Sequence, residues 1–337
     1  MSDDQCLRRL RFWKDVVTEI YNLLQLELEL QTRVSTALSV ASKVTIALNL
    51  YATDSVQAAT TDICNISQFA AHTAICEVTD TLYRRTDCIS FSMTREHQLE
   101  RQTGFMHIAC LPRVQGVIDC IHVALTAPHQ AAEQFRNRKG FLSLNVQLDC
   151  DHNCKILQVD AQYPGSTHDS FILHQSGVPS VFTGPNEHCG WLLGDKGQAL
   201  STWLMTSLRN LRTDGQVVYN ERLTATRTII EHTIGILKQR FHCLDRSGGV
   251  LQYLRERVSR FMVVCCMLHN LATMRVQPLE GDAAVAPVEE EEEEAHEEEE
   301  EAQEEEQDAG GQPHRRRRPH PNPAREAQHH LIAAWFT

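Results

Sequence analysis

Over the first hundred residues the apolar positions recur at helical spacing, as in "KDVVTEIYNLLQLELEL", and no glycine stands between Met1 and Thr103. Helices are expected throughout this stretch. Within it, "SVQAATTDICNISQFAAHTAICEVTDTLY" (Ser55 to Tyr83) divides around "CNISQ" into two short helices, the layout of a helix-turn-helix, with Ser67 as N-cap of the second. After Gly104 the period shortens. "GVIDCIHVAL", "SLNVQLDCD" and "KILQVDAQYPG" read as strands, with Asp151, His152 and Asn153 turning the chain between the last two; "CGWLLGD" is a further short strand. "TATRTIIEHTIGILKQRFHCL" then predicts a helix with Ile230, Ile234, Leu237 and Phe241 on one face, and "YLRERVSRFMVVCCMLHNLATM" another. Three strands, a helical insertion, a strand and long helices make an α/β layout over 106–275, preceded by an all-α, helix-turn-helix-like domain over 1–105.

From about Val276 the periodicity ends. "EEEEEEAHEEEEEAQEEEQD" (Glu289 to Asp308) has no apolar area to bury and repels itself, so 276–337 is expected to be a disordered acidic tail. The net charge of -12 belongs to that tail: residues 276–337 hold 18 acidic and 5 basic groups, leaving the rest close to neutral. The acidity therefore does not exclude nucleic acid as a partner. "RRRR" (Arg315 to Arg318) reads equally as a nuclear-import signal or a solvated charge run. No run is long enough to span a membrane, and the charged N-terminus does not read as a signal peptide. The twelve cysteines sit in apolar segments and read as buried thiols, without a disulfide framework. "CDHNC" lacks a second ligand pair at finger spacing, so it reads as a hairpin turn rather than a zinc site.

Four acids stand in or at the ends of core elements: Asp119 inside the first strand, Asp169 after the third in "YPGSTHDSFIL", Asp195 ending "WLLGD", and Glu231 on the helix "TRTIIEHTIG". An ionised carboxylate in such a place is costly unless it is paired or binds a metal, so a cation is expected among them. Carboxylates from several elements suit Mg²⁺ or Mn²⁺, and two such ions about 4 Å apart cleave phosphodiesters. Each acid alone also reads as a turn cap or surface salt bridge, and residue spacing leaves the choice open. Arg227, Glu231, Gly235 and Lys238 share the helix face opposite the apolar one, where Arg227 and Lys238 meet phosphate or make i,i+4 pairs in solvent. Arg136, Arg138 and Lys139 in "FRNRKGF" read as phosphate contacts or as a solvated loop. His122 and His168 read as partners of the neighbouring acids rather than as ligands.

From "GVIDCIHVALTAPH" through "FRNRKGFLSLNVQLDCD", "YPGSTHDSFILHQS", "WLLGDKGQALSTWLMT" and "TRTIIEHTIGILKQRFHCLDRSGGVLQY" to "CCMLHN", the chain closely resembles the Harbinger transposase-derived nucleases, within the PIF/Harbinger class of DDE transposases. The likeness covers nearly all of Gly116 to Asn270 in unbroken order, and "TALSVASKVTIALNLYATDSVQ" is similar to the family's helical N-terminal region. The resemblance implies an RNase H-like core with Asp119, Asp195 and Glu231 as the catalytic DDE triad, 35 residues separating the last two, and Asp169 as a fourth metal ligand. It implies a divalent-metal-dependent DNA endonuclease using Mg²⁺ or Mn²⁺, found in the nucleus and also the cytoplasm. It further implies a Myb-like, SANT-type partner protein that helps recognise DNA and enter the nucleus. Lys196 and Gln198 depart from the family's "LLGDSGY" wording, Ile121 stands for its threonine and Ser207 for its proline; "SQFAAHTAI" replaces a Ser/Arg-rich recognition helix. The alternative reading is a domesticated adaptor that binds DNA or a partner without turnover.

Overall fold

The computed structural model describes residues 2–30, 38–53, 66–85, 89–126, 132–183, 190–276 and 322–336. Five helices lead among these residues: α1 (Asp3–Leu10), α2 (Lys14–Leu30), α3 (Val40–Thr53), α4 (Gln68–Tyr83) and α5 (Arg95–Ala109). There follow β1 (Val114–Ala124), α6 (Ala132–Phe135), β2 (Ser143–Cys150), β3 (Ile156–Pro164), α7 (Asp169–Gln175), α8 (Val178–Val181), β4 (Trp191–Leu193) and β5 (Leu204–Met205). Two long helices, α9 (Asp214–Arg240) and α10 (Arg255–Met274), and a last one, α11 (Pro323–Trp335), complete the described chain. The strands form one sheet in the order β3-β2-β1-β4-β5, antiparallel among β1, β2 and β3 and parallel across β1, β4 and β5. This mixed α/β arrangement is consistent with a DDE nuclease core.

The three strand-like runs form β1 to β3, and the turn between β2 and β3 is built as their sequence requires. Asp151 Oδ1 accepts from the backbone N–H groups of Asn153 and Lys155 at 2.8 and 3.0 Å, and Cys154 adopts φ 60°. The nine cysteines among the described residues are free thiols. The side-chain amide of Asn270 on α10 then pairs with both backbone polar groups of Ile156, each at 2.8 Å, and fixes the start of β3 to the helix.

The two faces of the sheet differ. Val117, Ile121 and Val123 of β1 and Leu144, Val146 and Leu148 of β2 join the main core with Ile230, Ile234, Leu237 and Phe241 of α9 and its C-cap. The expected apolar face of that helix is the one buried. On the opposite face Ile118, Leu192 and Leu204 pack against Leu173, Val178 and Phe182 of the helical insertion. Polar residues of β2, Asn145, Gln147 and Asp149, lie on this second face and are nonetheless buried.

Three expectations change. Gly104 does not end the helical region: it lies inside α5, which runs to Ala109 and closes on Cys110 with φ 55°. A Cβ on Gly104 would come within 2.0 Å of the His152 ring, so this glycine allows helix and turn to approach closely. The tail is not disordered throughout, because 322–336 forms α11, capped by Asn322 with Pro323 in its first turn. Its Leu331 and Ile332 join the main core, and Gln328 Nε2 donates to the carbonyl of Thr206 at 2.8 Å. Residues 277–321, with the glutamate tract and "RRRR", lie outside the described residues. Last, the helical N-terminal part shares one core with the sheet: Leu24, Leu48 and Val78 belong to the same cluster as Val146, Phe261 and Leu268.

The first half of the helix-turn-helix-like segment lies largely outside the described residues. Its second helix is α4, and Ser67 caps it, the hydroxyl accepting from the N–H of Ala70 at 3.2 Å. Ala71, Ala74, Ile75, Val78 and Leu82 turn inward, and Asp80 holds both Arg257 and Arg260 of α10 at 2.6 Å. No helix among the described residues is long and apolar enough to cross a membrane.

Candidate active site

β1 and β4 run parallel, with Val117 opposite Leu193 where their pairing ends. Two residues on from these stand Asp119, still within β1, and Asp195, beyond the end of β4. Both carboxylates therefore lie past the end of the ladder, at the carboxyl edge where parallel sheets open a crevice. Asp119 shares one face of β1 with Val117 and Ile121 and so faces α9. That helix meets it with Arg227: Nη2 lies 3.6 Å from Asp119 Oδ2, and Nη1 donates to Asp195 Oδ1 at 3.1 Å. Asp119 Oδ1 also accepts from the backbone N–H of Cys120 at 2.7 Å. One guanidinium thus neutralises two carboxylates from neighbouring strands, in a place where only 13% of the Arg227 and Asp119 side chains is exposed.

Asp169 arrives from the other face, in the first turn of α7. Asn145 holds it: the amide Nδ2 donates to Asp169 Oδ1 at 2.6 Å and to the Thr167 carbonyl at 2.8 Å. Cys120 lies beside this acid. Burial, then the negative charges of Asp169 and Asp119, push its thiol well above the usual range, so it stays protonated at neutral pH.

Asp119, Asp169 and Asp195 line one cavity of about 470 Å³. Arg136, Arg138 and Lys139 line it as well. Arg136 is held by Glu133 and by the carbonyl of Gly140, the latter at 2.9 Å. Of the two histidines, His122 Nδ1 bonds the Ser143 hydroxyl at 3.0 Å, and His168 Nδ1 lies 3.2 Å from an Arg138 guanidinium nitrogen. Glu231 is partly exposed on α9, one turn beyond Arg227, and is not among the residues lining this cavity.

The donors fit a hard divalent cation in type, since three carboxylates offer oxygen to one cavity. They are not drawn together as a ligand cage: among the described residues no group of three or more His, Cys, Asp or Glu side chains is placed to hold an ion. The cation standing between Asp119 and Asp195 is Arg227. A sequence reading leaves this pairing open, because Arg227 four residues before Glu231 has the spacing of a local helix pair. Asn145 was likewise missed; its signal is a polar residue recurring with Gln147 and Asp149 at period two in a strand buried at every position.

Among the family departures, Gln198 bears on the turn that follows β4. A Cβ on Gly194 would meet Gln198 Oε1 at 2.1 Å, so the buried Gln198 side chain packs directly on the turn that presents Asp195.

Residues 118–270 match the family model described as DDE superfamily endonuclease. The human protein named "Putative nuclease HARBI1" is 34% identical over 290 residues, covering 86% of this chain and 83% of that protein. Its Bos taurus counterpart is 33% identical over the same coverage. The "Protein ALP1-like" of Arabidopsis thaliana is 26% identical over 188 residues, 51% of this chain and 46% of its own length. No solved structure matches. With a third of its residues shared along most of its length, and with Asp119 and Asp195 of the matched segment joined by one guanidinium, the chain belongs to the Harbinger transposase-derived family of DDE superfamily endonucleases.

Proposed function

We propose that this protein is a divalent-metal-dependent DNA endonuclease with an RNase H-like core, in which Asp119, Asp169, Asp195 and Glu231 bind Mg²⁺ or Mn²⁺ and Asp119, Asp195 and Glu231 form the catalytic triad. The observation that carries this reading is the convergence of Asp119 and Asp195, two residues past one paired position of two parallel strands, on a cavity that also holds Asp169. The bound cations would lower the pKa of a water and neutralise charge on the phosphodiester. The carboxylates hold and orient; none of them attacks. Asn145 keeps Asp169 turned into the cavity. Arg136, Arg138 and Lys139 line the same space with positive charge that suits a phosphate backbone. DNA is therefore the proposed substrate, with a Myb-like, SANT-type protein as partner in recognition, and the nucleus, with the cytoplasm, as the place of action.

A second reading, an adaptor that binds DNA or protein without turnover, draws on the Arg227 bridge, which satisfies the two acids without a metal. Nicking of supercoiled plasmid in Mg²⁺ or Mn²⁺ by the wild type, Asp119→Ala and Glu231→Ala separates the two. Nicking abolished in both variants supports the endonuclease. Equal activity in all three, or none in the wild type, removes it.

A further inference from the structure

Arg227 occupies the position that the metal reading reserves for a cation. It reaches one oxygen of Asp195 and one of Asp119, from strands β4 and β1, and its own Nε is buried without a hydrogen-bond partner. A guanidinium held by its full complement of hydrogen bonds would use that N–H too. Here the attraction of two carboxylates sets its place. A divalent ion between Asp119 and Asp195 needs the same oxygens, and with the guanidinium still in place it would lie within a few ångströms of a like charge in a poorly hydrated site. The two cations therefore exclude each other.

We propose that Arg227 is a built-in competitor for the metal: it neutralises Asp119 and Asp195 in the metal-free protein and must leave them before a divalent cation binds. The proposal rests on the metal-nuclease reading and goes beyond it, since it assigns Arg227 a role in setting metal affinity rather than in the chemical step. Competition for one pair of ligands is reciprocal, so whatever removes the guanidinium tightens the metal by the same factor. The fold keeps this competitor ready, because Ile230 and Ile234, three and seven residues beyond Arg227 on the side of α9 that it shares, are buried in the core with Val117 and Ile121 of β1.

The test is Mn²⁺ binding to the full-length protein at low ionic strength, followed by the loss of the free-ion EPR signal, with melting temperatures measured in EDTA and in Mn²⁺. Arg227→Gln is expected to bind Mn²⁺ at least about fivefold more tightly than wild type. It is also expected to melt lower in EDTA and to gain more from Mn²⁺. Arg227→Lys keeps a charge but loses the two-pronged reach, and should fall between the two. Asp195→Asn should lose the binding. Arg227→Gln that folds only when Mn²⁺ is present supports the proposal in its strongest form. If that variant does not fold in either condition, Arg227→Lys decides: affinity equal to or weaker than wild type overturns the proposal, as it does for a folded Arg227→Gln. Binding lost in Asp195→Asn but unchanged in the Arg227 variants overturns the competitor role and leaves the metal site standing. Absence of binding in all four proteins, or binding unaffected in Asp195→Asn, overturns both readings.

Discussion

Asn145 donates to the carboxylate of Asp169 across 2.6 Å, joining the middle one of three antiparallel strands to the first turn of α7. Asn145 is 1% exposed, whereas Asp169 is on the surface of the cavity, so a buried amide aims an exposed acid. Groups that orient a ligand commonly change metal affinity or activity by about 10- to 100-fold. Asn145→Ala is expected to slow metal-dependent nicking within that range while leaving a cooperative thermal transition. Raising Mn²⁺ should recover part of the rate. A variant as fast as wild type at limiting metal would show that Asp169 needs no such support.

Much of this arrangement is legible in the sequence, and the exceptions share a cause. Asp119 is conspicuous because it interrupts "GVIDCIHVAL", and the apolar face of α9 follows from residues three and four apart. Arg227 escapes because its partners are 32 and 108 positions away in the chain, whereas pattern reading weighs neighbours three and four away. Gln147 and Asp149 look like the solvent side of an alternating strand; only the packing of the helical insertion makes them interior. α11 carries its own start signal, Asn322 followed by Pro323, yet it follows a long charge run whose composition dominates the reading.

Those buried polar groups predict a pH effect. Asp149 is fully buried with both carboxyl oxygens unpartnered, and burial, then the charge of Asp160, raises its pKa well above the carboxylate range. In the unfolded chain it ionises near pH 4, so folding above that pH requires proton uptake, and stability from this group falls as pH rises towards the folded pKa. The slope is about 1.4 kcal/mol per pH unit. Asp149→Asn keeps the shape without the acid. Its melting temperature should exceed that of wild type above about pH 5, by a margin that grows with pH and closes below about pH 4. A margin independent of pH would show that Asp149 is ionised in the fold.

His269 acts in the opposite direction. Its Nε2–H donates to the Cys154 carbonyl at 2.8 Å, and burial lowers its pKa to about 4, a shift increased by Arg240. The unfolded chain takes up this proton first, so stability falls as pH drops from about 6.5 to about 4, by about 3 kcal/mol in all. His269→Gln retains a donor for Cys154 without the titration. Its acid limb, followed by circular dichroism, should be flatter than that of wild type.

Arg138 and Lys139 line the cavity beside the acids. If they contact phosphates, each contributes about 0.9 to the slope of log affinity against log salt. The double variant Arg138→Ala/Lys139→Ala should lower that slope by about 2 and weaken binding alike on unrelated duplexes. An unchanged slope would leave these side chains outside the DNA path.

The docking of α11 offers a test in which a normally favourable change becomes harmful. Gly215 is the second residue of α9, where alanine ordinarily stabilises a helix by about 1 kcal/mol relative to glycine. Here a Cβ would come within 2.5 Å of the Phe336 carbonyl oxygen, which belongs to backbone and cannot rotate away. Tyr219, fully buried, packs edge-on against the Phe336 ring and receives a hydrogen bond from Gln328 at 3.1 Å. Gly215→Ala should therefore push the end of α11 off α9, lowering the melting temperature and speeding proteolysis within 322–336. Leu331→Ala removes a buried side chain from the same interface and should cost about 2 to 5 kcal/mol. Because the two changes act on one contact, their combined cost should fall short of the sum. Full additivity, or a rise in stability for Gly215→Ala, would mean that α11 does not rest on α9.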